Sequence, residues 1–440
     1  MTLKNLRALI VFTFCLLPFA CFAGQPVNVN YVHLLIDHVH GIQVPIKASN
    51  IYQAVNVKYV LCAVDRANEI LNGAPTTDYC NHELAVLQII DDIATIDAVT
   101  RLIKINLWPG TGGEGEAFKV HLTGMTAGDL FDFQISAQGN FTINWGDGSA
   151  TQSIPKGNTM NTTFGKTYAA AGNYIVTIGG RATGYNPGFT NPAVSFMNSA
   201  NKANITRISG DMGSVFPILG SAGTGTPRFR STFAGLTGLT SSIPANLFAG
   251  LHGAPLSYMF ENTFANSNFS GSIPESLFVG IGGAPLEAVF SGTFSGCVDL
   301  EGEIPGNLFA GINGAPAMGL FAGTFSGCVG LIGVIPGNLF AGISGAPNQR
   351  MFADTFNGCT GLIGIGDGLF DGITGTEINQ MFNGTFNGCT NLAGPSAMSN
   401  GQHLYQKWPS ATGGWLGEVT NCYNGATKLS DWASIPAAWK

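Results

Sequence analysis

The sequence predicts a multidomain chain: a small α-helical N-terminal unit, a β-sandwich domain, and a C-terminal α/β solenoid of about 30–31-residue repeats. Three observations carry that fold class. Apolar residues fall at helical spacing before residue 108, and they alternate with polar ones between 117 and 185. From Thr232 on, a Thr-Phe pair recurs at a nearly fixed interval.

Residues 1–23 read as a signal peptide. Met1–Arg7 carries Lys4 and Arg7, Ala8–Phe22 is almost unbroken apolar, and Cys21-Phe22-Ala23 suits cleavage after Ala23. The run is short for a membrane span, and Pro18-Phe19-Ala20 makes a poor lipidation signal for Cys21. No second apolar stretch is long enough to span a bilayer, so the mature chain is expected to carry no integral membrane segment. The expected location is secreted, periplasmic or at the cell surface.

Composition narrows the partners. The 440 residues are 45% hydrophobic and only 10% charged, with 61 glycines and a net charge of −7. That sign speaks against a nucleic-acid partner, which needs Lys and Arg on one face, and against docking by charge on an anionic membrane. Glycine at this density points to many turns.

Residues 24–108 form the expected helical unit. Val57, Val60, Leu61, Val64, Ala67 and Leu71 suit an amphipathic helix over 56–71, and a second helical stretch runs over about 83–105. In an oxidising compartment Cys62 and Cys80 are a natural disulfide, worth about 3 kcal/mol in the chain-entropy picture. Residues 109–116 (PGTGGEGE) are a linker by composition.

Residues 117–189 change to short strands. Phe141, Ile143 and Trp145 alternate with Thr142 and Asn144, and Gly146-Asp147-Gly148 then favours a tight turn. The Trp145-Gly146-Asp147-Gly148 run, with Tyr168 and Gly172-Asn173-Tyr174, resembles the polycystic-kidney-disease (PKD) type of β-sandwich domain. That family usually has His where this chain has Lys166, and the tight turns are expected to survive the change. The resemblance implies an extracellular spacer or contact module.

Residues 190–440 repeat. The Phe of Thr-Phe stands at 233, 264, 294, 325, 356 and 386, and one template runs between, clearest over Thr293–Phe321. A fixed period of this length marks units that pack only on their neighbours. Leu308, Phe309 and Ile312 suit one helical turn and Leu320, Phe321 and Phe325 a second, while Leu300–Ile304 suits a strand. The template TFxGCxxLxGxIPxxLF resembles the BspA-like leucine-rich repeats of bacterial surface proteins, although each unit is longer by an inserted Gly-Ala-Pro turn. Cys422–Leu429 and Ser434-Ile435-Pro436 are a worn copy, so a C-terminal cap is expected from about 395.

Few residues suggest chemistry. His33, Asp37, His38 and His40 are the metal-ligand candidates, but they alternate with Val32, Leu34, Ile36 and Val39 as a structural edge does, and that reading is preferred. His82-Glu83 lacks the second His of a zinc protease, and Gly110, Gly112 and Gly115 lack a strand–helix context. Carboxylates from Glu261 to Glu377 scatter over many repeats and read as a solvated face. Cys297, Cys328, Cys359 and Cys389 share one template position and should stack as an internal ladder, preferably of free thiols. The threonines of Thr-Phe should cap a turn or bond along the ladder; an outward row suited to ice or crystalline polysaccharide is the alternative.

No cofactor and no catalytic residue are expected. The expected function is adhesion or recognition of an extracellular protein or glycan, through variable positions around LxGxIP. The alternatives are a polysaccharide- or peptide-active enzyme with a targeting arm, and a structural spacer or surface-layer protein. The oligomeric state is open.

Overall fold

The computed structural model describes residues 117–440 except 189, 221–223, 410 and 412–416. The chain divides into two compact units, Met1–Gly113 and Glu114–Lys440, and the described residues belong to the second. The signal peptide, the helical unit at 24–108 and the linker at 109–116 lie outside the described residues.

Eight strands open the described part: β1 (Phe118–Met125), β2 (Leu130–Ile135), β3 (Gln138–Asn144), β4 (Gln152–Lys156), β5 (Thr162–Thr167), β6 (Gly172–Gly184), β7 (Val194–Ser195) and β8 (Ile205–Ser209). They form a five-stranded sheet in the order β4-β3-β6-β1-β8 and a three-stranded sheet in the order β5-β2-β7. All these pairings are antiparallel. Alternation explains them: in β3, Phe141 and Ile143 are buried while Asn140 and Thr142 face out. Phe133 of β2 meets Trp145 and Phe196 at ring distances of 6.0 and 5.4 Å, so the two sheets share a core. In the turn after β3, Gly146 and Gly148 have φ +76° and +81°. Lys166 bonds Asp147 at 2.7 Å, and this contact, with the Ser149 hydroxyl, holds the Asp147 carboxyl well below the usual carboxylate range.

The expected fold class is overturned beyond this point. Regular structure among the described residues is mostly β-strand, and the α-helices are two of four residues each, α1 (Met212–Val215) and α2 (Leu404–Lys407). An α/β leucine-rich-repeat-like solenoid does not describe these residues, and the small helical unit expected at 24–108 falls outside them. The repeats are built from turns. Leu308 N donates to Pro305 O at 3.1 Å, and Ile312 N to Phe309 O at 2.9 Å, each reaching three residues back where an α-helix reaches four.

Backbone conformation gives the reason. Every fourth residue around Thr-Phe is left-handed: Tyr258, Asn262 and Asn266 in one repeat, Gly319, Gly323 and Gly327 in another, all with φ between +53° and +75°. An α-helix needs right-handed residues throughout. The amides therefore split in two directions. The N–H groups of Tyr258, Phe260, Asn262, Phe264 and Asn266 donate at 2.7–2.9 Å to Glu287, Val289, Ser291, Thr293 and Ser295 of the next repeat. Those between them, such as Thr263 and Ala265, donate to their own repeat three residues back, at 3.2 and 3.1 Å. From Tyr258 to Asn266 every amide has a partner, as buried backbone requires.

Stacking buries the side chains in rows. Phe233, Phe264, Phe294, Phe325, Phe356, Phe386 and Tyr423 lie in one column, with successive centroids 5.4–5.8 Å apart and planes within 9°. Phe229, Phe260, Phe290, Phe321, Phe352 and Phe382 make a second column at 5.6–6.0 Å. A third runs through Phe248, Phe278, Phe309, Phe340 and Phe370 at 6.1–6.2 Å. Each fully buried Phe contributes about 1.5–3 kcal/mol by area alone, so the rows hold the stack together. Opposite them, isolated parallel bridges such as Gly271↔Leu300 and Gly302↔Leu331 join successive LxGxIP segments. Two of these segments extend into short parallel strands, β9 (Gly333–Ile335) and β10 (Leu362–Ile365).

Candidate functional site

The outer side of the LxGxIP segments is a surface on which the repeats differ. The Leu and Ile of each segment point inward, as Leu300, Ile304, Leu331, Ile335 and Leu362 show. The residues between them point out by strand alternation. Glu301 and Glu303 occupy these outward places in one repeat, Ile332 and Val334 in the next, and Ile363 in the one after. Bonds from Glu301 N to Gly271 O and from Ile332 N to Gly302 O, both 2.9 Å, fix the edge. Val298 and Val329 stand beside it. Val298, Val329, Ile332, Val334 and Ile363 are between 44% and 55% exposed, a run of branched apolar side chains left to solvent on a rigid support.

The interior is committed to packing. Cys297, Cys328, Cys359, Cys389 and the further Cys422 are free and buried. The Sγ of Cys297 donates to Phe264 O at 2.9 Å and that of Cys328 to Phe294 O at 3.0 Å. Burial pushes the Cys297 thiol up to about 11 and Cys389 to about 12, so neither is a nucleophile at neutral pH. Thr232, Thr263, Thr293, Thr324, Thr355 and Thr385 are fully buried. Thr263 Oγ1 donates to Phe229 O and Thr324 Oγ1 to Phe290 O, at 2.9 Å each. An outward threonine array is thereby excluded.

His33, Asp37, His38 and His40, with Cys62 and Cys80, lie outside the described residues. Among the described residues no group of three or more His, Cys, Asp or Glu is arranged to hold a metal ion. Nor, among them, is any helix long and apolar enough to cross a membrane. The carboxylates stay dispersed: Glu275 accepts from Asn307 at 2.6 Å, and Asp371 accepts from the Asn400 amide.

One cluster that sequence spacing did not suggest is Ser396, His403 and Asp431. Ser396 Oγ donates to Asp431 Oδ2 at 2.6 Å and lies 2.9 Å from His403 Nδ1, which is itself 3.2 Å from Asp431 Oδ2. Acyl-transfer triads place serine on one ring nitrogen and the carboxylate on the other. Here both crowd Nδ1 and the serine proton goes to the carboxylate. Ser396 is also 1% exposed, and the cluster fastens the segment at 396–403 to the C-terminal tail. Compared with protein-family models, curated proteins and solved structures, the chain matches none.

Proposed function

We propose that this chain is an exported binding protein, not a catalyst, which recognises an extracellular protein or glycan through the outer edge of its LxGxIP segments. The observation that carries the reading is the apolar run from Val298 to Ile363. Monomeric proteins rarely leave such side chains grouped on a surface unless they meet a partner. The edge is held by backbone bonds on both sides, so little ordering entropy is lost when a ligand docks. Export rests on Met1–Ala23, and N-terminal sequencing of the exported protein is expected to begin at Gly24.

The test uses the full chain and the double variant Ile332→Asp/Ile363→Asp on a glycan array and on immobilised extracellular-matrix proteins. The variant is expected to melt like the parent, because both side chains are exposed, and to lose most of the parent's binding signal. A parent without any ligand in both formats, or a variant that binds equally well, overturns the reading.

A further inference from the structure

The outer face of the five-stranded sheet carries a different surface. β1 and β8 pair with His121 opposite Arg207 and Lys119 opposite Ser209, and His121 also stands opposite Ile175 of β6. These five side chains line an open cleft of about 330 Å³. Arg207 is exposed and Lys119 half-exposed, and neither forms an ion pair with a carboxylate among the described residues. In a chain of net charge −7, two unneutralised cations on adjacent strands are a local reversal of sign. His121 sits between them, its Nε2 2.9 Å from Ser209 Oγ. Burial, then the charges of Arg207 and Lys119, push its pKa down, which keeps the ring neutral and able to take a hydrogen bond.

The cleft opens onto a track of hydroxyls. Thr123 Oγ1 lies 2.8 Å from Thr206 Oγ1, at the bulge where β1 leaves β8. Thr240 N and Ser270 N then donate to Thr206 O and Ser241 O, carrying the outward edge from the sheet onto the first repeats. We infer that this surface binds an anionic polysaccharide, a uronate or sulfate oxyanion seating between Lys119 and Arg207 and the following sugars lying along Thr123, Thr206, Thr240 and Ser270. Arg207 offers the planar fork that grips an oxyanion by two bonds, and Lys119 a second positive charge. Ile175, 47% exposed, gives the C–H face of a sugar ring an apolar seat. The same chemistry disfavours other anions. Nucleic acids want aromatic platforms for their bases, and none lines the cleft. An anionic membrane needs a cluster of about four to eight cations, and two stand here.

The inference rests on reading the chain as an exported binding protein, but it uses a surface distant in sequence from the apolar run. The experiment measures binding of the full chain to polygalacturonate, dextran sulfate, neutral dextran and phosphatidylserine vesicles. The parent is expected to bind at least one anionic polymer, more weakly as salt rises, and to ignore neutral dextran. Lys119→Gln/Arg207→Gln is expected to bind that polymer at least tenfold more weakly with an unchanged melting temperature. Ile332→Asp/Ile363→Asp is expected to bind it like the parent, which separates this site from the one proposed above. No binding to either anionic polymer, equal binding by the Gln variant, or retention on the vesicles alone overturns the assignment.

Discussion

Asp211 shows how much one residue holds at the junction between sheet and repeats. It caps α1, its Oδ1 accepting from Gly213 N at 2.8 Å and from Gly250 N at 3.1 Å, and it is 3% exposed. Burial pushes its carboxyl up to about 6 against the pull of those amides. A carboxyl whose folded pKa exceeds its unfolded one takes up a proton on folding. The associated stability is therefore fully present below pH about 4 and is lost as pH rises through 6. The gap between 3.8 and about 6 corresponds to roughly 3 kcal/mol. Urea unfolding is expected to show the parent losing stability between pH 4 and 7 relative to Asp211→Asn, which keeps an oxygen for Gly213 N but does not titrate. Parallel curves for the two proteins would refute this. The cysteines give a second prediction at this scale. With all five thiols pushed up by burial and the first four bonded to Phe carbonyls, none of Cys297, Cys328, Cys359, Cys389 and Cys422 is expected to react with maleimide at pH 7.5 until the chain is unfolded. Mass spectrometry of the intact protein reads this directly.

At the scale of the element, period and conformation were unequally readable in the sequence. The recurrence of Thr-Phe at 30–31 residues has its counterpart in the bonds from Phe264 N to Thr293 O and from Phe294 N to Thr324 O. The conformation inside a repeat departs from the helical turns that the spacing predicts. Leu308, Phe309 and Ile312 sit at helical spacing, but a chain of four-residue turns brings apolar residues inward at nearly the same interval. The discriminating signal was Gly or Asn at intervals of four, as in Asn262/Asn266 and Gly319/Gly323/Gly327, because these residues accept the left-handed region. Gly319 tests the point. It has φ +60°, and a Cβ there meets only the Ala288 methyl, at 3.9 Å. Equivalent places hold Tyr258, Ala288, Arg350 and Gln380, all left-handed. Gly319→Asn is expected to cost little, while Gly319→Val, branched at Cβ, should cost roughly 2 kcal/mol more. Equal melting temperatures for the two would mean that the coil changes conformation at this position.

The whole molecule is organised by the direction of its hydrogen bonds. Along the Thr-Phe ladder each repeat donates forward and accepts from the one before, while the LxGxIP edge donates backward, so the two ends of the Thr-Phe ladder need opposite partners. At the first repeat the sheet region supplies donors, Ala193 N to Arg228 O at 2.8 Å and Phe196 N to Thr232 O at 2.9 Å. At the last, the tail supplies acceptors: Glu418, Thr420, Cys422 and Asn424 take the amides of Phe382, Gly384, Phe386 and Gly388. The junction with the sheet was not readable in the chain, because it depends on pairings such as β1 with β8 across more than eighty residues. The same distance hid Lys119 and Arg207 from each other, and a separation of 35 residues hid Ser396 from Asp431. The aromatic rows cross the junction as well. Phe233 stacks on Phe196 at 5.8 Å, meets Phe118 of β1 at 6.2 Å and continues to Phe264 at 5.8 Å. A shared core of this kind should make sheet and repeats unfold as one unit, whereas a stack coupled only between neighbours would let them open separately. Phe233→Ala removes the ring common to both and is expected to cost about 3–5 kcal/mol. Hydrogen exchange resolved by segment is expected to show protection falling together over 118–209 and over the first repeats. Loss confined to the repeats would mean that the sheet closes off the stack without sharing its stability.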